Sequence, residues 1–479
     1  MLLSLFAGIC PAFDTGPHHD LTRTVLAEHG FNEDSIKAIQ VENWLTDYYS
    51  NSPTYSEDRR RVLENFHFDN LYTDAQVDHY WAALIRNLKI ETQKAARDDD
   101  VLSMLVVMGI GLHAVQDFYS HSNWVELHPR TDPDSYRTDT YIGYLASGHP
   151  NPLKELHTGK FPEDRTTGPG LFDPPEGADL HGGYETGINH DSQIRPRWAE
   201  AYVFAYCASQ EMVTAFEQWA NKARPGFWQK MQVFLAENGQ GKKLDADVRA
   251  SRNISMWLKA KGMDGTWKGN DSGSTRFFTA FSSKWVSSDS SVFVHAIRDG
   301  EIQKSLAADL YDDEKELPVP ELAPYSLRRR TVEFRAVRFM EAQRSGLAGK
   351  MPRLGTPDFY ARVTIGGQEY WTRTIQRARE LVDPWTEIAF VGQDWKDVNI
   401  TIKAFDEDSL DAKKDQRFDI NPLPDEFDLN LTLNLASLAL SGDVEGVFDT
   451  ASRPFGVEGA KPDKPRAFLN AWITSRLLK

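Results

Sequence analysis

The feature that most constrains the fold of this chain is the stretch Met108–Glu126, MGIGLHAVQDFYSHSNWVE. It begins as an apolar helix and carries His113, Asp117 and His121 at successive spacings of four residues. Each such step turns a side chain by only about 40° around a helix, so the three side chains share one face. Imidazole and carboxylate groups are ligands that zinc accepts. The pattern therefore predicts half of a metal site, rather than an amphipathic face with ordinary hydrogen bonds.

The histidines are concentrated in the N-terminal part of the chain. Of the 13, only His295 lies beyond His190. Histidines that merely filled cores or surfaces would be spread over both halves. His67 lies between two phenylalanines, which is typical of a core histidine or of a ligand shielded from water. Downstream, the Gly- and Pro-rich segment 128–195 carries His181, and a long loop of this kind in a compact domain is usually functional. The chemistry is therefore expected in the N-terminal part.

Hydrophobic periodicity divides the chain into two kinds of structure. We predict helices at residues 21–30, 33–49, 74–98 and 196–223, with an acidic run at 98–100 that caps the central helix. After a Pro-rich linker at 318–324 the period becomes two, which predicts strands joined by Gly, Pro and Asp turns. The expected fold is multidomain, α then β: an N-terminal all-α metal-binding bundle at 1–225, a helical extension or lid with linker at 226–325, and a C-terminal antiparallel β-sandwich at 326–479.

Length and charge restrict the function classes. A chain of 479 residues with 41% hydrophobic and 11% aromatic residues is long enough for two or three globular domains with sizeable cores. The formal charge of −16 argues against general nucleic-acid binding, because phosphate contacts need clustered Lys and Arg. Only two cysteines occur, so we expect no disulfide framework.

The N-terminus begins with an apolar run, MLLSLFAGIC, that lacks a basic start. We interpret it as a buried first segment rather than a cleaved secretory signal. No other stretch approaches the ~18 apolar residues of a spanning helix, so we expect no transmembrane helix.

The run LHAVQDFYSHSNWVE, residues 112–126, resembles the signature of the Het-C family, the heterokaryon-incompatibility proteins and their bacterial relatives. The helical domain of that family is similar to the fold shared by zinc-dependent phospholipase C and single-strand nucleases. The resemblance covers roughly residues 13–220 and implies a cluster of one to three zinc ions. Together with the helix described above, it implies the metal ligands His18, Asp47, His67, His113, Asp117, His121, His181, Glu185 and His190.

The same resemblance implies that Asp47 is the catalytic residue, which positions or deprotonates the attacking water. Two departures from the family pattern are visible. Three residues, rather than five, separate Asp117 from His121, and Trp198 stands where a later histidine is expected. These departures are the reason why the expected number of zinc ions ranges from one to three.

The C-terminal part resembles C2 domains, the β-sandwiches that bind membranes, often through calcium. PDFYARVTIGGQEYWTRTI resembles the S-D-P-Y-V-K-V run of that family, and AFDEDSLDAKKDQRFDI resembles its D-x-D calcium loop. Calcium takes about six to eight oxygen ligands. The resemblance implies a calcium site, with ligands from Asp358, Asp406, Asp408 and Asp415.

These resemblances imply a metal-dependent phosphodiester hydrolase of phospholipase C type that acts on phospholipids and is docked on the membrane surface by the C2-like domain. Its expected location is secreted or peripheral to a membrane rather than purely cytoplasmic. Two alternatives remain open. A zinc-dependent nuclease would use the same site. A Het-C-type membrane-interacting toxin or incompatibility factor would be non-catalytic and would use the metal only to hold the bundle together.

Overall fold

The structure is a computed structural model of the chain. It describes residues 15–50, 57–148, 154–161, 172–182, 186–234, 300–313, 315, 317–318, 322, 327–341, 358–372, 375, 380–381, 384–406, 416–461 and 464–479. These residues form two compact units. Unit 1 contains the described residues of Met1–Thr131, Arg137–Trp257 and Ser283–Ser326, and unit 2 contains those of Asp132–Tyr136 and Leu327–Lys479. The apolar N-terminal run, and residues 235–299 of the helical extension expected at 226–325, lie outside the described residues.

Unit 1 is helical. Its helices are α1 (Thr15–Glu28), α2 (Glu33–Ser50), α3 (Glu57–Glu64), α4 (Asp74–Arg97), α5 (Val101–His121), α6 (Trp124–Leu127), α7 (Tyr141–Ala146), α8 (Trp198–Ala223) and α9 (Phe227–Gln232). Residues 300–306 are also helical.

Helix α5 is the central helix of unit 1. Its residues are buried from end to end apart from Ser103, because α2, α4 and α8 all pack against it. Such burial is what a helix that is apolar around its whole circumference requires. Asp100 caps its N-terminus, since Oδ1 accepts a 3.1 Å hydrogen bond from the backbone nitrogen of Ser103. The predicted acidic cap is therefore confirmed.

One expectation about the composition of α5 is wrong. The helix is long and apolar enough to span a membrane by length and composition, although no such stretch was expected from the sequence. In the structure, 94% of its apolar 18-residue stretch is buried. The apolar composition of α5 is therefore explained by packing inside unit 1.

Unit 2 is an antiparallel β-sandwich, as the two-residue period predicted. Its strands are β1 (Ser135–Tyr136), β2 (Arg329–Glu341), β3 (Phe359–Ile365), β4 (Gln368–Trp371), β5 (Trp385–Gly392), β6 (Asp397–Asp406), β7 (Gln416–Phe418), β8 (Leu429–Asn434), β9 (Ala439–Gly442), β10 (Gly446–Val447), β11 (Phe455–Glu458) and β12 (Ala467–Leu478). One sheet has the order β1-β12-β2-β5, with β11 beside β12. The other has the order β10-β9-β8-β6-β3-β4, with β7 beside β6. Residues of both sheets share one core, which includes Phe334, Trp385, Phe359 and Ile402.

The structure differs from the sequence prediction in irregular regions. Helix α1 begins at Thr15 rather than at residue 21, so His18 lies on the helix and not before it. The segment 128–195, predicted as a loop, contains α7 and β1. Strand β1 pairs in parallel with β12, in register Ser135↔Leu477. Elements of two to six residues carry too few side chains to produce a recognisable period, which is why the sequence did not reveal them.

Candidate metal centre

The first candidate metal site is built around Asp117, in the last two turns of α5. The side chain of Asp117 is fully buried. Its Oδ1 lies 2.9 Å from Nε2 of His18, and its Oδ2 lies 3.0 Å from both Nε2 of His113 and Nδ1 of His67. The four side chains come from α1, α5 and the turn that precedes α4. We call His18, His67, His113 and Asp117 the Asp117 cluster.

Amide side chains orient two of the imidazoles in the Asp117 cluster. The Nδ1 atom of His18 lies 2.7 Å from Oε1 of Gln116, and Nδ1 of His113 lies 3.3 Å from Oδ1 of Asn43. An amide oxygen only accepts, so Nδ1 carries the proton in each ring and Nε2 presents its lone pair to the cluster. This second layer of hydrogen bonds is the usual device that fixes metal-ligating histidines.

The position of Asn43 depends on a close approach of α2 to α5. A Cβ atom at Gly109 would lie 2.4 Å from Cβ of Glu42 and 2.9 Å from the backbone nitrogen of Asn43. Any larger residue at position 109 would push α2 away. The glycine therefore allows Asn43 to reach His113.

The electrostatics of the Asp117 cluster favour a bound cation. Burial, followed by the neighbouring imidazoles, lowers the pKa of His113 to about 3, so the ring is neutral at physiological pH. Burial alone would raise the pKa of Asp117, but the surrounding histidines lower it well below its usual value. The cluster thus combines a neutral imidazole with an ionised carboxylate, which are the protonation states that zinc binding requires.

The second candidate site lies one helical turn further along α5. His121 places Nδ1 3.3 Å from Oδ1 of Asp69 and Nε2 3.2 Å from Oδ1 of Asp191. The Nε2 atom of His181 lies 3.6 Å from Oδ2 of Asp191, and its Nδ1 donates to the carbonyl of Gly182 at 2.8 Å. We call Asp69, His121, His181 and Asp191 the His121 cluster. Burial would lower the pKa of His121, but the carboxylates of the cluster raise it well above its usual value, so a metal ion bound by Nε2 would displace a proton from the ring.

Both clusters fit a metal ion. Among the described residues, Asp117 Oδ1, Asp69 Oδ1, His121 Nε2 and Asp191 Oδ1 are buried atoms that make no well-formed hydrogen bond. Each of them nevertheless lies 2.9–3.3 Å from an atom of another cluster member. In His18, His113 and Asp117, and likewise in Asp69, His121 and His181, the potential ligand atoms lie within 4.8 Å of one another. Buried polar atoms that converge in this way can serve as ligands of a common cation.

Only some of the predicted ligands come together in the described part of the structure. His18, His67, His113, Asp117, His121 and His181 come together in the two clusters. The backbone of Asp47 is part of α2, whereas its side chain, and all of Glu185, lie outside the described residues.

His190, also predicted as a ligand, is not a member of either cluster. Its Nδ1 lies 2.9 Å from the carbonyl of Pro196, and its Nε2 lies 3.3 Å from a carboxylate oxygen of Glu126. The adjacent Asp191 takes the expected place instead. Asp69, which the sequence analysis did not name as a ligand, also lies in the His121 cluster, and its place in an H-x-D pattern with His67 could have indicated it.

The predicted calcium ligands lie only partly within the described residues. Asp358 directly precedes β3 and Asp406 ends β6, and the backbone nitrogen of Asp358 donates a 2.8 Å hydrogen bond to Oδ1 of Asp406. Since β3 and β6 are paired in register Phe359↔Asp406, the two carboxylates lie at the same end of the sheet. Asp408 and Asp415 lie outside the described residues.

Comparison with protein families gives one match. The model of the VWA7 N-terminal domain matches residues 48–150, about a fifth of the chain. The matched range contains all of α5 and the turn with His67 and Asp69. No curated protein matches the chain. The matched family is not Het-C, so the Het-C likeness gains no support, and the phospholipase C type of the bundle stays a prediction.

C2 domains and a phospholipase are among the solved structures that match the chain. A structure of two C2 domains of Extended-Synaptotagmin 2 is 16% identical, with a TM-score of 0.19, and the match covers 34% of this chain and 45% of that chain. A structure described as a C2 domain is 10% identical, with a TM-score of 0.19, over 30% of this chain and 98% of the other. Human GIVD cytosolic phospholipase A2 is 9% identical, with a TM-score of 0.21, and the match covers 33% of this chain and 17% of that chain. The chain thus spans less than half of the first of these structures.

Proposed function

We propose that this chain is a metal-dependent phosphodiester hydrolase that acts on phospholipids, with zinc bound in unit 1 and calcium-dependent membrane docking through unit 2. The observation that carries the proposal is the pair of buried clusters supplied jointly by α5 and by the turn His67–Asp69. Two adjacent sites of histidine and carboxylate ligands are the arrangement that phosphodiester hydrolysis uses.

The residues of the chain would hold and orient the reacting groups. Bound zinc would supply a water of lowered pKa and positive charge for the phosphate oxygens. Gln116 and Asn43 keep Nε2 of His18 and His113 directed at the Asp117 cluster. Asp47 lies one turn after Asn43 on α2, and we assign to it the positioning of the attacking water. Burial of both clusters excludes bulk water and strengthens these interactions.

Membrane docking is assigned to the end of the sandwich that carries Asp358 and Asp406. Their proximity supplies part of an oxygen-rich site of the kind that calcium prefers. A cation bound there would reduce locally the repulsion between a chain of formal charge −16 and an anionic membrane surface.

A second candidate function is a non-catalytic protein with structural metal ions. The observation that favours it is the depth of the clusters, because His113 and Asp117 are 0% exposed and His121 is 1% exposed. Structural metal sites are closed, whereas catalytic sites keep an open coordination position. His67 and Asp191, at 8% and 7% exposed, are the members through which a substrate would have to reach the metal.

One experiment separates these possibilities. The purified chain is analysed for bound zinc and then tested on phosphatidylcholine vesicles and on single-stranded DNA. The Asp117→Asn variant serves as the inactive form, and Asp134→Asn, at an exposed acid, serves as the matched control. We expect zinc in the wild type and the control, and phosphatidylcholine hydrolysis that Asp117→Asn abolishes. Full zinc occupancy without turnover of either substrate would establish the structural alternative, and turnover of DNA alone would indicate a nuclease.

A further inference from the structure

The turn that joins the two clusters has an unusual backbone. Phe68 and Asn70 have φ values of 54° and 64°, in the left-handed region that residues with a side chain rarely adopt. His67 and Asp69 belong to different clusters and alternate with these two residues. A conformation of this kind persists only where surrounding contacts hold it.

Side chains from three different parts of unit 1 hold the carbonyl groups of this turn. The hydroxyl of Tyr80, on α4, donates to the carbonyl of Asn65. The Nδ1 atom of His121, on α5, donates to the carbonyl of His67 at 2.5 Å. The hydroxyl of Tyr311 donates to the carbonyl of Asp69 at 2.9 Å. The first two donors lie on α4 and α5, whereas Tyr311 follows Asp69 by 242 positions in the sequence.

Tyr311 belongs to a segment that docks on α4. We call residues 300–313 the clamp segment. The side-chain amide of Asn87 donates to the carbonyls of Leu306 and Ala308, at 2.9 and 2.7 Å. Arg86 pairs with Asp309 at 2.9 Å. The described residues thus connect the clamp segment both to α4 and, through Tyr311, to the turn that supplies a ligand to each cluster.

We propose that Tyr311 is a positioning residue of the metal centre, and that docking of the clamp segment is coupled to metal binding by the His121 cluster. This inference rests on the proposed zinc centre. Tyr311 fixes the carbonyl of Asp69 and thereby directs the carboxylate of the same residue at His121. Coupling of this kind is reciprocal, so metal binding also stabilises the docked clamp segment.

The test uses the full chain and the variant Tyr311→Phe, which removes only the hydroxyl group. Zinc affinity is measured by competition with a chromophoric chelator, and the visible spectrum of the Co²⁺-substituted protein reports the ligand geometry. We expect one zinc equivalent to bind about tenfold or more weakly, with a changed Co²⁺ spectrum, while the other equivalent is unchanged. The matched control is Tyr206→Phe, which removes a buried hydroxyl that donates to Glu28 at 2.7 Å. Its zinc binding should equal that of the wild type.

The outcomes separate this inference from the proposed function. Wild-type affinities and spectrum in Tyr311→Phe would overturn the inference and leave the zinc centre intact. A wild-type chain that binds no zinc would overturn both. If Tyr311→Phe fails to fold, the variant Asn87→Leu is tested instead. It removes the hydrogen bonds from α4 to the clamp segment and changes no residue of the turn. It should weaken the same zinc equivalent and abolish the zinc-dependent protection of residues 300–313 from hydrogen exchange, and unchanged binding and protection would refute the coupling.

Discussion

Substitution of Asp117 by asparagine should cost more stability in zinc than in chelator. Without metal, the variant loses the charged acceptor of the 3.0 Å hydrogen bond from Nδ1 of His67, but it keeps one amide oxygen as an acceptor. The loss of a hydrogen bond to a charged group costs about 1–3 kcal/mol. With zinc at about 1,000 times its dissociation constant, each occupied site of the wild type adds about 4 kcal/mol to the free energy of unfolding. The variant should not gain the contribution of the Asp117 cluster.

The penalty of Asp117→Asn should therefore grow by about 4 kcal/mol between chelator and zinc. For a domain of about 200 residues this corresponds to an additional decrease in Tm of about 8–16 °C. Differential scanning calorimetry of wild type, Asp117→Asn and the exposed control Asp134→Asn, each with zinc and with chelator, measures the difference. An equal loss of stability in both conditions would mean that Asp117 is part of a structural ion-pair network and not a metal ligand.

Three further substitutions test other parts of the account. Gly109→Ala would place a Cβ 2.4 Å from Cβ of Glu42 and displace α2, so zinc affinity should fall about tenfold in a chelator competition, and unchanged affinity would contradict the role of α2. Burial raises the pKa of Glu211 from 4.5 to about 7, so between these pH values the folded state binds a proton that the unfolded state does not. The resulting contribution of Glu211 to the free energy of unfolding is complete below about pH 4.5 and is lost as the pH rises through 7. The variant Glu211→Gln lacks this titration. Its free energy of unfolding, relative to that of the wild type, should therefore rise by about 3 kcal/mol between pH 4.5 and pH 8 in denaturant titrations, and a pH-independent difference would refute this reasoning. Calcium-dependent pelleting with anionic vesicles should be lost in the double variant Asp406→Asn/Asp408→Asn, and pelleting that chelator does not change would exclude the calcium site.

The regular parts of the molecule could be predicted from the sequence because periodicity fixes them. The four-residue spacing on α5 placed His113, Asp117 and His121 on one buried face, and alternation predicted the longer strands of the sandwich. The acidic cap was predictable for the same local reason, since Asp100 needs only the first turn of α5.

The rest of the site could not be predicted, because it depends on contacts between distant, irregular segments. Asp191 contacts His121, whereas the neighbouring His190 does not. Both residues lie in a segment without periodicity, so the sequence gives no sign of which side chain points at the cluster. Asp69 is directed by a turn with two left-handed residues, and that turn is held by Tyr311, 242 positions away. No local pattern encodes such contacts, so the arrangement of Asp69 and Asp191 around His121 emerges only from the tertiary structure.

The most direct test of the central claim is X-ray absorption spectroscopy at the zinc edge, combined with the metal content of the purified chain. Two clusters of imidazole and carboxylate ligands predict two zinc ions per chain. They also predict nitrogen and oxygen neighbours at about 2.0–2.2 Å, multiple scattering from imidazole rings and no sulfur shell. Substoichiometric zinc without imidazole scattering, or a sulfur shell at about 2.3 Å, would contradict the assignment of the Asp117 and His121 clusters as a metal centre.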